Sequence, residues 1–188
     1  TRLILANGDA ENVQKALEGV DKPITTFGWS CENDYYPQNI TLHKSVHTSF
    51  ELMHGGESLG TLDIYVPGRH NVLNAVAAAA ASMSAGASFE QVKAGLAEFH
   101  GAGRRFEILA HKGDITVADD YAHHPAEIRA TLTAAKEMDF KRVIAVHQPF
   151  TYSRTKTLLN DFADVLQIAD VTVLSEIMGS REKNTYNI

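Results

Sequence analysis

Cysteine is almost missing from these 188 residues: Cys31 is the only one, so no disulfide can form within the chain and a reducing, cytosolic compartment fits. Its surroundings, Trp29-Ser30-Cys31-Glu32, offer no His or cation to stabilise a thiolate, so Cys31 reads as an inert small side chain rather than a nucleophile. Clustered positive charge is also lacking. The formal net charge is -6 and no run of five or six basic residues occurs, which removes the electrostatic attraction that dominates most nucleic-acid binding. No apolar run is long enough for a membrane span: residues 72–87 are Ala-rich but interrupted by Asn74, Ser82 and Ser84, and read as a buried helix. An initiator Met and a signal-peptide layout are absent from Thr1-Arg2-Leu3-Ile4-Leu5, which reads as a chain opening in the middle of a fold.

What remains is an ordinary globular composition, 44% hydrophobic and 21% charged, enough for one generous domain or two small ones. Residues 3–6 read as a buried strand, 9–18 as a helix with Asp9 as its N-cap, and 24–28 as a second strand, together a βαβ unit with a parallel sheet. Between Asn39 and Val66 the period changes to two, with Phe50, Leu52, Leu62, Ile64 and Val66 around the turn His54-Gly55-Gly56-Glu57, an antiparallel hairpin region. The Ala-rich helix starts at about Asn71 and ends near Gly86. Ser88 and Gln91 have the spacing of a capping box and open another helix to about Phe99. Gly101-Ala102-Gly103 is the best candidate for a domain boundary. Beyond it, strands at 106–111 and 115–119, a helix opening at Pro125, a strand at 143–146, a helix over about 155–168 and a strand at 171–174 make a second α/β alternation.

Four segments carry chemistry. In Pro67-Gly68-Arg69-His70-Asn71-Val72-Leu73-Asn74, two Asn amides three residues apart share the first helical turn. They can pair with the N6/N7 edge of an adenine, or Asn71 can simply cap the helix. Gly101-Ala102-Gly103-Arg104-Arg105-Phe106-Glu107 places two cations after a flexible stretch, suited to phosphate or to a solvated linker. Asp119-Asp120-Tyr121-Ala122-His123-His124-Pro125 lies between a strand and a helix start, where α/β folds gather ligand groups. Its acids and imidazoles could hold a divalent metal, a ribose diol or a carboxylate, or could move protons. The plainer alternative is that they cap the strand end and, through His124, the helix. In His147-Gln148-Pro149-Phe150-Thr151-Tyr152-Ser153-Arg154-Thr155, Arg154 stands near a helix start where the dipole disfavours a cation, so an anionic ligand is the expected reason for it.

In this order the four segments resemble the Mur ligase family, and its L-alanine-adding branch in particular. The matching motifs are Gly-Arg-His-Asn, Gly-x-x-Arg-Arg-Phe, Asp-Asp-Tyr-x-His-His-Pro and Gln-Pro-x-x-Tyr-x-Arg-Thr over residues 67–155, with similar flanks. The resemblance implies an α/β chain in which 1–105 are the second half of a central ATP-binding domain and 106–188 the first part of a Rossmann-like C-terminal domain. It implies a cytoplasmic enzyme of peptidoglycan synthesis that uses ATP with Mg2+ to activate the carboxylate of UDP-N-acetylmuramate as an acyl phosphate, attacked by the amine of L-alanine. Asn71 and Asn74 would contact the adenine, Arg105 and Asp120 the nucleotide, and Tyr121, His123 and Arg154 the incoming amino acid; Arg105, Asp120 and His123 are the expected catalytic groups, and no residue of this chain is expected to bind metal.

Two departures accompany the resemblance. Phe150 and Thr151 stand where many relatives have His and Arg, and no Gly-x-x-x-x-Gly-Lys-[Ser/Thr] loop to cradle the β/γ-phosphates occurs in the 188 residues. The chain is therefore expected to be an internal piece of the enzyme, inactive by itself. The alternatives are a ligase that recycles murein tripeptide, which shares the Asp-Asp-Tyr/Phe-Ala-His-His-Pro segment, and a non-catalytic nucleotide-binding module on the same fold.

Overall fold

The computed structural model describes residues 3–43 and 46–188, and the chain divides into two compact units, Thr1–His100 and Gly101–Ile188. Thr1 and Arg2, at the head of the opening apolar run, lie outside the described residues.

Period-two alternation builds the first unit. Along β4 (Thr48–His54), Thr48, Phe50 and Leu52 are buried while Ser49 and Glu51 are only partly covered, because successive side chains leave a strand on opposite faces. A two-residue turn returns the chain antiparallel into β5 (Glu57–Ile64), pairing Phe50 with Leu62 and Thr48 with Ile64. That turn needs φ > 0 at both central positions, and Gly55 (φ 58) and Gly56 (φ 88) supply it without steric cost. The hairpin belongs to a larger sheet. β1 (Ile4–Asn7), β2 (Ile24–Phe27) and β3 (Tyr35–Leu42) precede it, and the five strands lie in sequence order, parallel from β1 to β3 and antiparallel from β3 to β5.

Helix α2 (Arg69–Ser84) covers this sheet with Val72, Ala75, Val76, Ala79 and Ala80, the 3.6-residue stripe of the Ala-rich run. Burying Phe50, Leu52, Leu62, Val72 and Val76, none of which has measurable exposed surface, contributes about 1.5–3 kcal/mol each for the larger side chains. α3 (Phe89–Ala97) opens with the expected capping box: Ser88 Oγ accepts from Gln91 N at 3.3 Å and Gln91 Oε1 accepts from Ser88 N at 2.8 Å.

In the second unit, β6 (Glu107–Lys112) and β7 (Ile115–Asp119) form an antiparallel pair. After α4 (Pro125–Glu137), β8 (Ile144–His147) pairs in parallel with β9 (Val171–Leu174). The core is small: Ile128 and Leu132 of α4 meet Phe162, Val165 and Leu166 from the helical stretch between β8 and β9.

Two expectations fail. Asp9 does not cap the first helix. α1 is Glu11–Leu17 with Ala10 in the cap position and no side-chain cap bond, because the Asp9 carboxylate is taken by Trp29 N and by Asn33 Nδ2 at 2.8 Å. The single helix over about 155–168 is two, α5 (Tyr152–Thr157) and α6 (Leu159–Leu166), broken where Leu158 leaves helical geometry at φ -109, ψ 22. That break also alters the dipole argument for Arg154, since in a helix of six residues it falls in the last turn, where a cation is favoured.

Candidate functional site

In the first unit the candidate nucleotide contacts sit where β5 gives way to α2. Gly68, with φ 93, is the N-cap and makes no side-chain cap bond, so Asn71 is not the cap; it lies in the first turn. Its Nδ2 donates to Pro67 O at 2.7 Å and its Oδ1 accepts from Asn74 Nδ2 at 3.0 Å. Asn71 is thereby fixed as a post for Asn74, which is exposed and has its carbonyl oxygen and one amide hydrogen left over. That is the donor and acceptor pair an adenine edge requires. Beside the same helix start, the Arg69 guanidinium lies 5.2 Å over the Trp29 ring. Trp29 is held from behind by Asp9, whose carboxylate also holds buried Asn33. Gly8 and Gly28 flank this pair with no room for a Cβ, which sets the path of both strand ends.

The second unit ties its arginine segment to the acid and imidazole segment. Arg104 and Phe106 both adopt left-handed backbone, φ 58 and 47, and each is held there by a carboxylate: Glu107 Oε2 accepts from Arg104 N at 2.7 Å, Asp120 Oδ2 from Phe106 N at 2.9 Å. Asp120 Oδ1 accepts from Ala122 N at 2.7 Å, so both its oxygens anchor backbone. Arg104 reaches Asp119 with Nε at 3.0 Å and lies 4.9 Å over the exposed Tyr121 ring, which meets His123 edge-on. Arg105 is exposed, and its charge is felt at Glu127.

The imidazoles have defined tautomers. His124 caps α4, its Nδ1 accepting from Ala126 N at 3.3 Å, which is the plainer of the two readings left open by the sequence. Glu127 completes a capping box with Oε2 accepting from His123 N at 3.0 Å and His124 N at 3.2 Å, bonds that hold its carboxyl below the usual range. His123 Nδ1 is 3.0 Å from Tyr121 O, and a carbonyl only accepts, so Nδ1 carries a proton and, in the neutral ring, Nε2 presents a lone pair.

Among the described residues, two buried side-chain nitrogens have no hydrogen-bond partner, His147 Nε2 and Arg154 Nη1. His147 ends β8 and Arg154 lies within α5, on either side of the loop that joins them. Burial pushes the His147 imidazole below its ordinary value, so it is neutral near pH 7. An unpaired buried guanidinium nitrogen is costly, and a ligand anion is the partner that would relieve it. Sequence reasoning missed Glu182, which bonds Ser153 from 29 residues away, and Asn33; neither has a local pattern that announces its partner.

Comparison with known proteins places these segments in a family. Residues 1–82 match the Mur ligase middle domain and residues 104–186 the Mur ligase, glutamate ligase domain. A protein of Agathobacter rectalis named UDP-N-acetylmuramate–L-alanine ligase is 46% identical over 98% of this chain and 40% of its own length. The crystal structure of UDP-N-acetylmuramate–alanine ligase from Thermotoga maritima is similar at 33% identity and TM-score 0.75, over 94% of this chain and 38% of that one. A murein peptide ligase from Psychrobacter arcticus follows at 29% identity and TM-score 0.62, over 92% and 36%. This chain thus spans about 40% of the length of the curated relatives it matches. With both domain matches in order and kinship at this level over nearly every residue, the chain belongs to the Mur ligase family.

Proposed function

We propose that this chain is part of a cytoplasmic, ATP-dependent ligase that joins L-alanine to UDP-N-acetylmuramate through an acyl phosphate, with residues 1–105 contributing to the ATP-binding domain and 106–188 to the domain that receives the amino acid. The observation that carries the site assignment is the buried Nη1 of Arg154 with no protein partner, a charged donor suited to the carboxylate of an amino acid. The kinship with named L-alanine ligases supports the reaction class.

Each residue then has a task. Asn74, braced by Asn71, reads the adenine edge, and Asp120 holds the backbone beside Arg105 so that the guanidinium can meet nucleotide phosphate. Arg154 binds the carboxylate of L-alanine, and Tyr121 borders the same amino acid. His123, with its Nε2 lone pair, takes a proton from the attacking amine. ATP supplies the phosphoryl group that activates the carboxylate of UDP-N-acetylmuramate. Among the described residues no group of three or more His, Cys, Asp or Glu is placed to hold a metal ion.

The test is phosphate release by the complete protein given ATP, UDP-N-acetylmuramate and either L-alanine or murein tripeptide. L-alanine is expected to be the better acceptor, and Arg154→Ala to raise its KM by roughly 100-fold, the scale of a lost charge-assisted pair. The 188-residue chain alone is expected to give no turnover. Preference for tripeptide would move the protein to the recycling reaction, and an Arg154→Ala effect on ATP alone would remove Arg154 from the amino-acid site.

A further inference from the structure

Helix α5, which carries Arg154, is an unusual support for a binding residue. It has six residues, its N-cap Thr151 sits at φ 65, and no side chain of its own neighbourhood caps it. A helix start with open N–H groups frays unless something accepts from them. Here the acceptor comes from the far end of the chain. Glu182 Oε2 takes the Ser153 N–H at 2.8 Å and Oε1 takes the Ser153 hydroxyl at 2.6 Å. Those two bonds, the Ser153 hydroxyl first, and the Arg154 charge hold the Glu182 carboxyl below its ordinary value.

Glu182 is the last contact of a strap. Thr151 N donates to Met178 O at 2.9 Å and Met178 N to Pro149 O at 2.9 Å, closing a parallel bridge between Phe150 and Met178. A Cβ at Gly179 would stand 2.5 Å from the Tyr152 ring, so the strap lies directly on the first residue of α5. Glu182 N donates back to Gly179 O at 2.9 Å, which turns the carboxylate toward Ser153. The residue after Ser153 is Arg154, whose Nη1 has no partner in the protein.

We infer that Glu182 is a positioning residue for the acceptor amino acid: by capping α5 from the 178–182 strap it fixes the backbone of Arg154, and with it the direction in which the guanidinium meets a carboxylate. The inference rests on the acceptor role given to Arg154 above. It accounts for why a left-handed Thr151 and a six-residue helix can hold a cation in one place. The strap, rather than local helix propensity, sets the geometry.

The experiment uses the complete ligase with separate KM measurements for L-alanine and ATP, on Glu182→Ala, Glu182→Gln, Arg154→Lys and the Glu182→Ala/Arg154→Lys pair. Glu182→Ala is expected to raise the KM for L-alanine about 10-fold, the scale of a lost helix cap, with the KM for ATP unchanged. Glu182→Gln, which keeps an acceptor oxygen for Ser153 N, should recover most of that loss. In the Arg154→Lys background, Glu182→Ala should add less than it does alone, because both act on one contact. An unchanged KM for L-alanine, equal rises in both KM values, or full additivity with Arg154→Lys would each overturn the assignment, whatever happens to the melting temperature. Failure of the acceptor reading itself looks different: L-alanine would not support phosphate release by the unaltered enzyme.

Discussion

In the first unit Phe50, Leu52 and Leu62 have no exposed surface, whereas in the second β8 and β9 turn Ile144, Val146, Val171 and Val173 outward, with Val146 76% exposed. The strands β8 and β9 are more apolar than β4 and β5, so composition does not account for the difference. Coverage does: helices α2 and α3 pack on the five-stranded sheet, while in the second unit Ala145 of β8 meets the core formed by α4 and α6 and all four residues of β9 are exposed. Backbone strain follows the opposite trend. Of the six non-glycine residues with left-handed backbone among the described residues, only Asn39 is in the first unit; Arg104, Phe106, Thr151, Ser180 and Asn187 are in the second. At about 1–3 kcal/mol each, such residues persist where neighbours over-determine them. Arg104, Phe106 and Thr151 are each pinned by a hydrogen bond from their own N–H to Glu107, Asp120 and Met178. The first unit is thus held by its apolar interior, and the segments proposed to meet the acceptor are held by polar pins.

The largest effect that could break this contrast lies in the two interiors. Phe50→Ala is expected to cost about 3–5 kcal/mol, while Val146→Thr should stay within about 0.5 kcal/mol. Urea unfolding followed by hydrogen exchange in each unit would check this, and equal losses at the two positions would erase the distinction. A smaller effect tests the pins. Glu127→Ala removes the acceptor for His123 N and His124 N and should cost about 1 kcal/mol. Because the folded Glu127 carboxyl is held below its ordinary value, its contribution is complete above the unfolded value and is lost as pH falls through the folded one. The variant should therefore lose stability less steeply in acid. An identical acid profile would show that the capping box contributes nothing through charge.

The same contrast explains how much could be read before the fold was known. Alternation at Phe50, Leu52, Leu62 and Ile64, the helical stripe of Val72, Val76 and Ala79, and the Ser88 and His124 caps are local, and local patterns survive into the structure. What could not be read was long-range. The Asp9 carboxylate goes to Trp29 and Asn33, 20 and 24 residues away, so its cap-like position before a helix misleads. β3 was not legible as a partner of β2, since only Phe27 and Tyr35 register between them. The break at Leu158 has neither Gly nor Pro to signal it. Arg154 was picked out, but by a dipole argument that a six-residue helix reverses; the unpaired Nη1 is the sounder reason.

The smallest effect concerns His147, the one titrating group among the described residues whose shift comes from burial alone. Its ring stacks on Phe162 at 5.7 Å and Nε2 has no partner, so the folded protein resists protonating it. An unfolded imidazole takes up a proton as pH falls past its ordinary value of 6.5, while the folded one waits until lower pH. Over that interval the unfolded state binds more protons, so stability falls with falling pH and levels off below the folded value. His147→Phe keeps a ring against Phe162 and removes the titration. Urea midpoints for the two proteins should therefore differ by a constant above the interval and converge or cross within it, the variant having the shallower slope. Parallel lines from about pH 8 to pH 5 would mean that the imidazole is as easily charged inside the protein as outside, and that the second unit is open to water even at Phe162.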